Sequence, residues 1–343
     1  MSRDVCVIGA GVVGLASAVN ILEHIPDVRV TIIADKFSPN TTADGAAGVW
    51  MLYNLGNTPE YLQRRWAETT FHHLETLLKT EESSIAGVTA LPMFGISDDP
   101  MKQEHWSKIV YGYKQVPTGE MVKLFPYAQR KFGTFHITLL CECRMYLPWL
   151  MRRFKERGGK LINERILEFQ ELTGRYDVIV NCTGVDARLL VADNSVQPIR
   201  GQLKRVTAPW IKHAVFDFTS QCYIIPCADN IVLGGTTQHG DWNKKPNEDD
   251  SEKILQNAHA IYPSLKNATI EHDWVGLRPG RPSVRLETEI RKVGGKEAKI
   301  VHNYGHGGSG ITLHWGCAQD TTALVAELLG EKVNFRKQPP SKL

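Results

Sequence analysis

A chain of 343 residues is longer than one hydrophobic core usually supports, so about two domains are expected. A hydrophobic fraction of 42%, a charged fraction of 22% and a formal net charge of +3, with no long run of Lys or Arg, argue against nucleic-acid binding and membrane insertion. The seven cysteines are scattered and form no CxxC pair, which favours a reduced compartment and argues against a structural zinc site.

The N-terminal segment has the strand, turn, helix and strand order of a dinucleotide-binding unit. The apolar run DVCVIG predicts a buried parallel strand, and Gly9, Gly11 and Gly14 follow in G-x-G-x-x-G spacing at the start of a predicted helix. Such glycines permit a tight turn, the approach of a pyrophosphate and close packing of helix on strand. A second apolar run, VRVTIIAD, ends at Asp35, whose carboxylate is suited to the adenosine ribose. The unit predicts a dinucleotide cofactor, either NAD or FAD.

Two later stretches favour FAD over NAD. The run YDVIVNCTG at 176–184 predicts another buried strand ending in a turn of small residues, as in a dinucleotide domain that is interrupted and resumed. At 302–330 a glycine-rich loop enters a helix with one apolar face and with Gly330 at its C-terminal end. Backbone N–H groups at the start of this helix are suited to the negative charge of a reduced flavin.

Taken together, the motifs resemble the FAD-dependent D-amino-acid oxidase family, and within it the branch that acts on D-aspartate. The resemblance runs nearly from one end of the chain to the other. It is carried by VIGAGVVGL, TIIADKFSPNTTADGAAG, CECRMYLPWL, DVIVNCTG, IRGQLKRVTAPW, YIIP, VLGGTTQHGDW, GLRPGRPSVRLETE and HNYGHGGSGITLHWG. The last two are specific to the family, whereas the first occurs in many flavoproteins.

The resemblance implies an α/β fold with two interleaved domains. A Rossmann-like FAD-binding domain is expected at 1–55, 145–195 and 286–343. An α+β substrate-binding domain, built on an antiparallel sheet, is expected at 56–144 and 196–285. A helix at about 60–79 is expected to cover that sheet.

The resemblance also assigns residues to FAD. Besides the three fingerprint glycines, they are Asp35, Lys36, Thr41, Thr42, Ala47, Gly48, Ile166, Gly307, Gly308, Gly310, Ile311 and Thr312. Non-covalent binding is expected, because no Cys or His stands in a pattern typical of flavin attachment.

Three residues are implied to bind the substrate. The carboxylate-binding arginine of the family falls on Arg278 in GLRP, and the tyrosine that assists it falls on Tyr223 in YIIP. The backbone carbonyl that accepts a hydrogen bond from the substrate amine falls on Gly308. A guanidinium fork matches a carboxylate, and a hydroxyl adds a third donor.

Two further arginines follow Arg278 in the same motif. On one extended strand, the odd offsets of Arg281 and Arg285 would place both on the face opposite to Arg278. We expect them to pair with Glu287, Glu289 or other surface acids.

The family reaction is the oxidative deamination of a D-amino acid by oxygen to a 2-oxo acid, with release of ammonia and hydrogen peroxide. The implied partners are therefore a small D-amino acid and oxygen. Four alternatives stay open: a strict D-aspartate or D-glutamate oxidase, a glycine- or sarcosine-type flavin amine oxidase, an NAD-dependent dehydrogenase, and a protein that keeps FAD without turnover.

Some residues allow two interpretations. Trp50 and Tyr53 are suited equally to the substrate pocket and to the core. His302 and His306 could resemble a metal pair, but no HExxH pattern or carboxylate-bearing helix accompanies them, so no metal is expected.

Substrate preference depends on a second cation in the pocket. In the branch that acts on D-aspartate, arginines are thought to bind the side-chain carboxylate, but Phe216 and Thr237 stand in those stretches here. His213, His239 or Arg281 could substitute, although nothing in the sequence places them there. We therefore expect a weaker preference for D-aspartate than that branch usually shows.

The chain ends in Ser341-Lys342-Leu343, which matches a peroxisomal targeting signal. It predicts binding to the peroxisomal import receptor and location in the peroxisomal matrix.

Overall fold

The computed structural model describes residues 3–333 and 335. In chain order, the strands of this part of the chain are β1 (Arg3–Ile8), β2 (Val28–Ala34), β3 (Val88–Ser97), β4 (Tyr111–Val116), β5 (Phe132–Cys141), β6 (Lys160–Asn163), β7 (Val178–Asn181), β8 (Gln197–Thr207), β9 (Ala214–Asp217), β10 (Cys222–Pro226), β11 (Ile231–Gly234), β12 (Gln238–His239), β13 (Thr269–Gly280), β14 (Arg285–Val293) and β15 (Lys296–Tyr304). The α-helices are α1 (Val12–His24), α2 (Glu60–Leu78), α3 (Glu82–Ala86), α4 (Thr118–Leu124), α5 (Cys143–Glu156), α6 (Ala187–Leu190), α7 (Glu248–Ile261) and α8 (Gly310–Leu329).

A six-stranded sheet in the order β14-β15-β7-β1-β2-β6 carries the dinucleotide fingerprint. All neighbours are parallel except β14 and β15, which form an antiparallel pair. The central strand β1 is buried from Val5 to Ile8, as expected for a short apolar run covered on both faces. Helices α1, α5 and α8 pack in one core cluster with this sheet. The carboxyl ends of the parallel strands therefore meet at one edge.

A nine-stranded sheet forms the second layer, in the order β12-β8-β11-β10-β9-β3-β5-β4 with β13 paired to β8. Its pairs are antiparallel except for β3 and β9, which run parallel. Helix α7 covers one face, where Ile254, Ala258 and Ile261 join Val206 and Ile224 in one core cluster. The α/β fold class expected from the sequence is thus confirmed.

Helix α2 packs differently from the sequence expectation. Instead of covering only the antiparallel sheet, its residues Trp66, Phe71 and Leu74 enter the core cluster that also contains α1 and α8. Gly316 of α8 makes this possible, because a Cβ there would lie 2.4 Å from the carbonyl oxygen of Trp66. Trp66 Nε1 also donates a hydrogen bond of 2.6 Å to Asp320 of α8.

Within residues 3–333 and 335, no helix is both long and apolar enough to cross a membrane.

Candidate active site

A cavity of about 1130 Å³ runs along the carboxyl ends of the parallel strands and reaches the nine-stranded sheet. This is where ligands bind in open α/β sheets. The cavity is lined by every residue that the sequence assigned to cofactor or substrate, except Gly14 and Thr312.

The fingerprint glycines occupy the turn between β1 and α1, and each has a separate steric role. Gly9 has φ +105°, and a Cβ there would lie 2.5 Å from the carbonyl oxygen of Cys182. A Cβ on Gly14 would lie 2.0 Å from the carbonyl oxygen of Gly9, so Gly14 allows the helix to pack on the strand. Gly11 lines the cavity, and a Cβ there would meet no described atom within 4 Å. This open space in front of the helix N-terminus fits a pyrophosphate.

Residues after β2 form one end of the cavity. Asp35 and Lys36 are exposed and line it, in the position expected for contact with a ribose. The hydroxyl and backbone N–H of Thr41 donate to the Asp44 carboxylate at 2.6 and 2.8 Å. These bonds fix the start of the short 3-10 helix Thr42–Gly45, which also lines the cavity.

The glycine-rich loop before α8 forms the opposite wall. Gly307 has φ +52°, and a Cβ there would lie 1.8 Å from the carbonyl oxygen of Asn54. Gly308 lies against the ring and backbone of Tyr53. Gly310 begins α8, so the positive end of the helix dipole faces the cavity.

Two hydroxyls tie α8 to the segment around residues 51–53. The Thr312 hydroxyl bonds to both the N–H and the carbonyl of Met51, at 3.1 and 2.7 Å. The Ser309 hydroxyl does the same for Tyr53, at 2.7 and 2.8 Å. The resemblance placed Thr312 beside the flavin ring. In the structure Thr312 does not line the cavity, and its side chain is hydrogen-bonded to the backbone of Met51. Sequence reasoning missed Ser309, since the pairing depends on a segment more than 250 residues away.

Arg278 on β13 and Tyr223 on β10 come together above three glycines. A Cβ on Gly201 would lie 2.3 Å from Nη1 of Arg278, and one on Gly234 would lie 2.3 Å from the Tyr223 hydroxyl. Gly235 likewise lies against the Tyr223 ring. Arg278 Nη1 donates to the Thr236 carbonyl at 3.1 Å. The sequence motifs IRGQ and VLGG contain these glycines, but the sequence alone predicted no role for them.

The electrostatics of this pair suit an anion. Burial raises the pKa of Tyr223, and the positive charge of Arg278 beside it lowers that pKa in part. The hydroxyl is therefore protonated at neutral pH and available as a donor. A guanidinium with a phenol donor is a carboxylate site.

The aromatic residues near this pair separate into pocket and core. Tyr53 lines the cavity, and its hydroxyl lies 2.6 Å from the Thr237 hydroxyl. Phe216 also lines the cavity, with its ring stacked at 6.1 Å from the Tyr223 ring. Trp50 is fully buried and donates to the Ala67 carbonyl at 3.0 Å, so it belongs to the core.

The geometry expected for Arg281 and Arg285 was wrong, but their ion pairing is confirmed. β13 ends at Gly280, and Arg285 begins β14 in the other sheet. Arg281 Nε bonds to Asp193 at 2.9 Å, which also removes Arg281 as a substrate cation. Arg285 pairs with Glu287 and Glu289 at 2.7 and 3.3 Å.

The other two candidate cations lie elsewhere. His213 Nε2 lies 2.5 Å from the Tyr262 hydroxyl, and His239 is exposed on β12; neither lines the cavity. Among the residues that the structure describes, the Lys and Arg side chains lining the cavity are Lys36, Arg165, Lys244 and Arg278. Lys36 and Arg165 follow β2 and β6, and Lys244 lies in the exposed loop between β12 and α7.

No group of three His, Cys, Asp or Glu side chains suited to a metal ion occurs in the described part of the chain. His302 bonds to Glu289 at 2.9 Å on one side and to Asn181 at 3.2 Å on the other.

Comparison with known proteins identifies the family. Residues 4–324 match the family described as FAD dependent oxidoreductase. The chain belongs to this family. Its cofactor is FAD, and the open space at Gly11 and the helix N-terminus at Gly310 fit the pyrophosphate and the flavin. Non-covalent attachment stays a prediction.

Two relatives of this FAD-dependent oxidoreductase cover almost the whole chain. This chain is 42% identical to D-aspartate oxidase from Homo sapiens over 325 residues, and the alignment covers 94% of each chain. It is 38% identical over 331 residues to D-amino acid oxidase from Dugesia ryukyuensis, covering 95% of this chain and 98% of the relative.

Solved structures agree on the fold. Glycine oxidase from Bacillus cereus ATCC 14579 superposes with a TM-score of 0.74 at 18% identity, covering 98% of this chain and 100% of the other. Dithionite-reduced L-alpha-glycerophosphate oxidase from Mycoplasma pneumoniae, with FAD bound, has a TM-score of 0.72 at 16% identity over 99% and 97% of the chains.

Proposed function

We propose that this protein is a D-amino-acid oxidase, which converts D-α-amino acids to 2-oxo acids with release of ammonia and hydrogen peroxide. The observation that carries the proposal is the pair Arg278 and Tyr223 at the cavity wall that also contains Gly308. The relatives named D-aspartate oxidase and D-amino acid oxidase support the same substrate class.

The chain's own residues bind and orient the substrate in this reaction. The Arg278 guanidinium and the Tyr223 hydroxyl donate to the α-carboxylate, and the Gly308 carbonyl accepts a hydrogen bond from the α-amine. Three fixed contacts set the direction of the α-carbon–hydrogen bond, which is the contribution expected of the protein in a cofactor enzyme. When bound, FAD supplies the acceptor for the two electrons of that bond. No general base is required, and buried His302 and His306 are left free of a proton-transfer role.

The walls of the site favour uncharged substrate side chains. Phe216 and Tyr53 line the cavity beside Tyr223, and the Tyr53 hydroxyl is paired with the neutral hydroxyl of Thr237. A carboxylate buried there without a cation would be costly. We therefore propose that the enzyme accepts neutral D-amino acids and discriminates only weakly in favour of D-aspartate.

A panel of substrates tests the proposal. Purified enzyme with FAD is assayed for hydrogen peroxide and 2-oxo acid with D-aspartate, D-glutamate, D-alanine, D-methionine, their L-isomers, glycine and sarcosine. We expect turnover of D-isomers and little of L-isomers. Turnover restricted to glycine or sarcosine would replace the proposal with the glycine-oxidase alternative, which is not favoured because that relative shares only 18% identity.

The proposed location is the peroxisomal matrix, reached through the import receptor. The support is the terminal Ser341-Lys342-Leu343, which lies outside the described residues. An enzyme that produces hydrogen peroxide has a chemical reason to be enclosed with catalase.

A further inference from the structure

His306 has a buried nitrogen atom that meets no hydrogen-bond partner among the described residues. It lies in the loop between β15 and α8, its side chain is 2% exposed, and it lines the large cavity. Within the described part of the chain, its Nε2 atom has no hydrogen-bond partner. Buried polar nitrogens are almost always satisfied, and an exception of this kind calls for an explanation.

A loosely held loop does not explain the missing partner. The His306 carbonyl accepts a hydrogen bond of 2.9 Å from the Ser309 N–H, and the Gly307 N–H donates to the Pro279 carbonyl at 2.9 Å. Asn54 packs directly against Gly307 on the other side. The backbone on which the ring is mounted is therefore fixed between β13 and the segment after Tyr53.

The neighbouring His314 cannot serve as the partner either. His314 is close enough to affect the pKa of His306. Both ring nitrogens of His314 already have partners, however: the Ile311 carbonyl at 2.6 Å and the Tyr146 hydroxyl at 2.9 Å. Burial and the proximity of His314 lower the pKa of His306 to about 4. The ring is thus neutral at pH 7, with one nitrogen as donor and the other as acceptor.

We propose that His306 is an FAD-binding residue whose Nε2 atom forms a hydrogen bond with the flavin end of the bound cofactor. The flavin end is indicated because the loop is bonded to Pro279, next to Arg278, and packs against Asn54, next to Tyr53. The adenosine end is formed by the segments after β2 and β6 instead. The inference depends on FAD binding and not on which amino acid is oxidised.

The test compares two buried histidines. His306→Phe removes the nitrogens and keeps an aromatic ring, whereas His306→Gln restores a polar atom near the position of Nε2. His136→Phe is the matched control, because both ring nitrogens of His136 also lack partners in the described chain, yet it lies outside the cavity. Each apoprotein is titrated with FAD, and the dissociation constant and the visible flavin spectrum are recorded without any amino acid.

We expect His306→Phe to raise the Kd for FAD about three- to tenfold, the effect of one lost hydrogen bond, and to shift the flavin absorption bands. His306→Gln should recover most of the affinity, and His136→Phe should leave both readouts at the wild-type values. Wild-type Kd and bands in His306→Phe, or an equal change in His136→Phe, would overturn the proposal.

A measurement on the unaltered side chain covers the case in which His306→Phe does not fold. In protein with 15N-labelled histidine, the Nε2 resonance of His306 should move when FAD binds, and that of His136 should stay. His306→Gln assigns the resonance by its absence. An unchanged His306 resonance on FAD binding would equally overturn the proposal.

Discussion

The guanidinium of Arg278 lies over Gly201, at a place where a Cβ atom would be only 2.3 Å from Nη1. Gly201 lies on β8 opposite Gly276, two residues away from the pair that Arg278 forms with Ile199. Any side chain at residue 201 would therefore displace the end of the arginine without disturbing the strand pairing.

Gly201→Ala is expected to damage substrate binding while sparing the fold. Because the displaced atoms are the end of a flexible side chain, kcat/KM for a D-amino acid should fall about ten- to a hundredfold, the effect of one charge-assisted hydrogen bond. Steady-state kinetics and FAD content provide the measurement. Gly119→Ala is the control, since a Cβ there meets no described atom within 4 Å. Equal kinetics for both variants would contradict the arrangement.

Removal of the two carboxylate-binding groups should lower kcat/KM by different amounts. Arg278→Ala should cost about 3–5 kcal/mol in transition-state binding, because a buried carboxylate would lose its charge partner. Tyr223→Phe should cost about 1–2 kcal/mol, since only one neutral hydrogen bond is lost. Comparison of kcat/KM at equal FAD content measures both. Turnover by Arg278→Ala near the wild-type rate would refute the assignment.

The ratio of kcat/KM for D-aspartate to that for D-alanine tests whether the pocket supplies a cation for the substrate side chain. We expect a ratio below about a thousand, equivalent to some 4 kcal/mol, because Phe216 supplies no cation. Phe216→Arg should raise the ratio by at least about tenfold. Phe218→Arg is the control, since Phe218 adjoins Phe216 at 4.6 Å between rings but does not line the cavity. A wild-type ratio above a thousand would reveal a side-chain cation, for which Lys244 is the candidate.

The stability of the protein should fall as the pH decreases from about 6.5 to 4. Burial lowers the pKa of His136 and of His314 to about 4, below the usual value of an unfolded histidine. In this window the unfolded chain binds more protons, so each such histidine should cost about 1.4 kcal/mol of unfolding free energy per pH unit.

Denaturant unfolding at several pH values measures this dependence. His136→Phe should flatten it, because one titrating group is removed from the unfolded state. The account would fail if His136→Phe kept the wild-type slope.

The C-terminal tripeptide predicts the location in the cell. A fluorescent protein fused to the N-terminus should give punctate signal that overlaps a peroxisomal marker. Deletion of Ser341, Lys342 and Leu343 should make the signal diffuse. Diffuse signal from the intact chain would refute the targeting proposal.

The sequence by itself determined the features that depend on short stretches of chain. Gly9 has a positive φ, and Gly9 and Gly14 make close approaches that few residues other than glycine allow, so the dinucleotide unit could be predicted from the glycine spacing. The apolar runs of β1 and β2 predicted buried parallel strands for the same local reason. Family motifs then extended this local information to Arg278 and Tyr223.

Only the tertiary structure decided which side chains share a surface. Arg281 and Arg285 follow Arg278 closely in sequence, yet the chain leaves one sheet after Gly280 and enters the other at Arg285. Tyr53 and Trp50 are similar in type and close in sequence, and packing sends one to the cavity and the other to the core. Strand pairing and helix packing between distant segments control these outcomes, because a side chain's surroundings depend on which segments the whole fold brings against it.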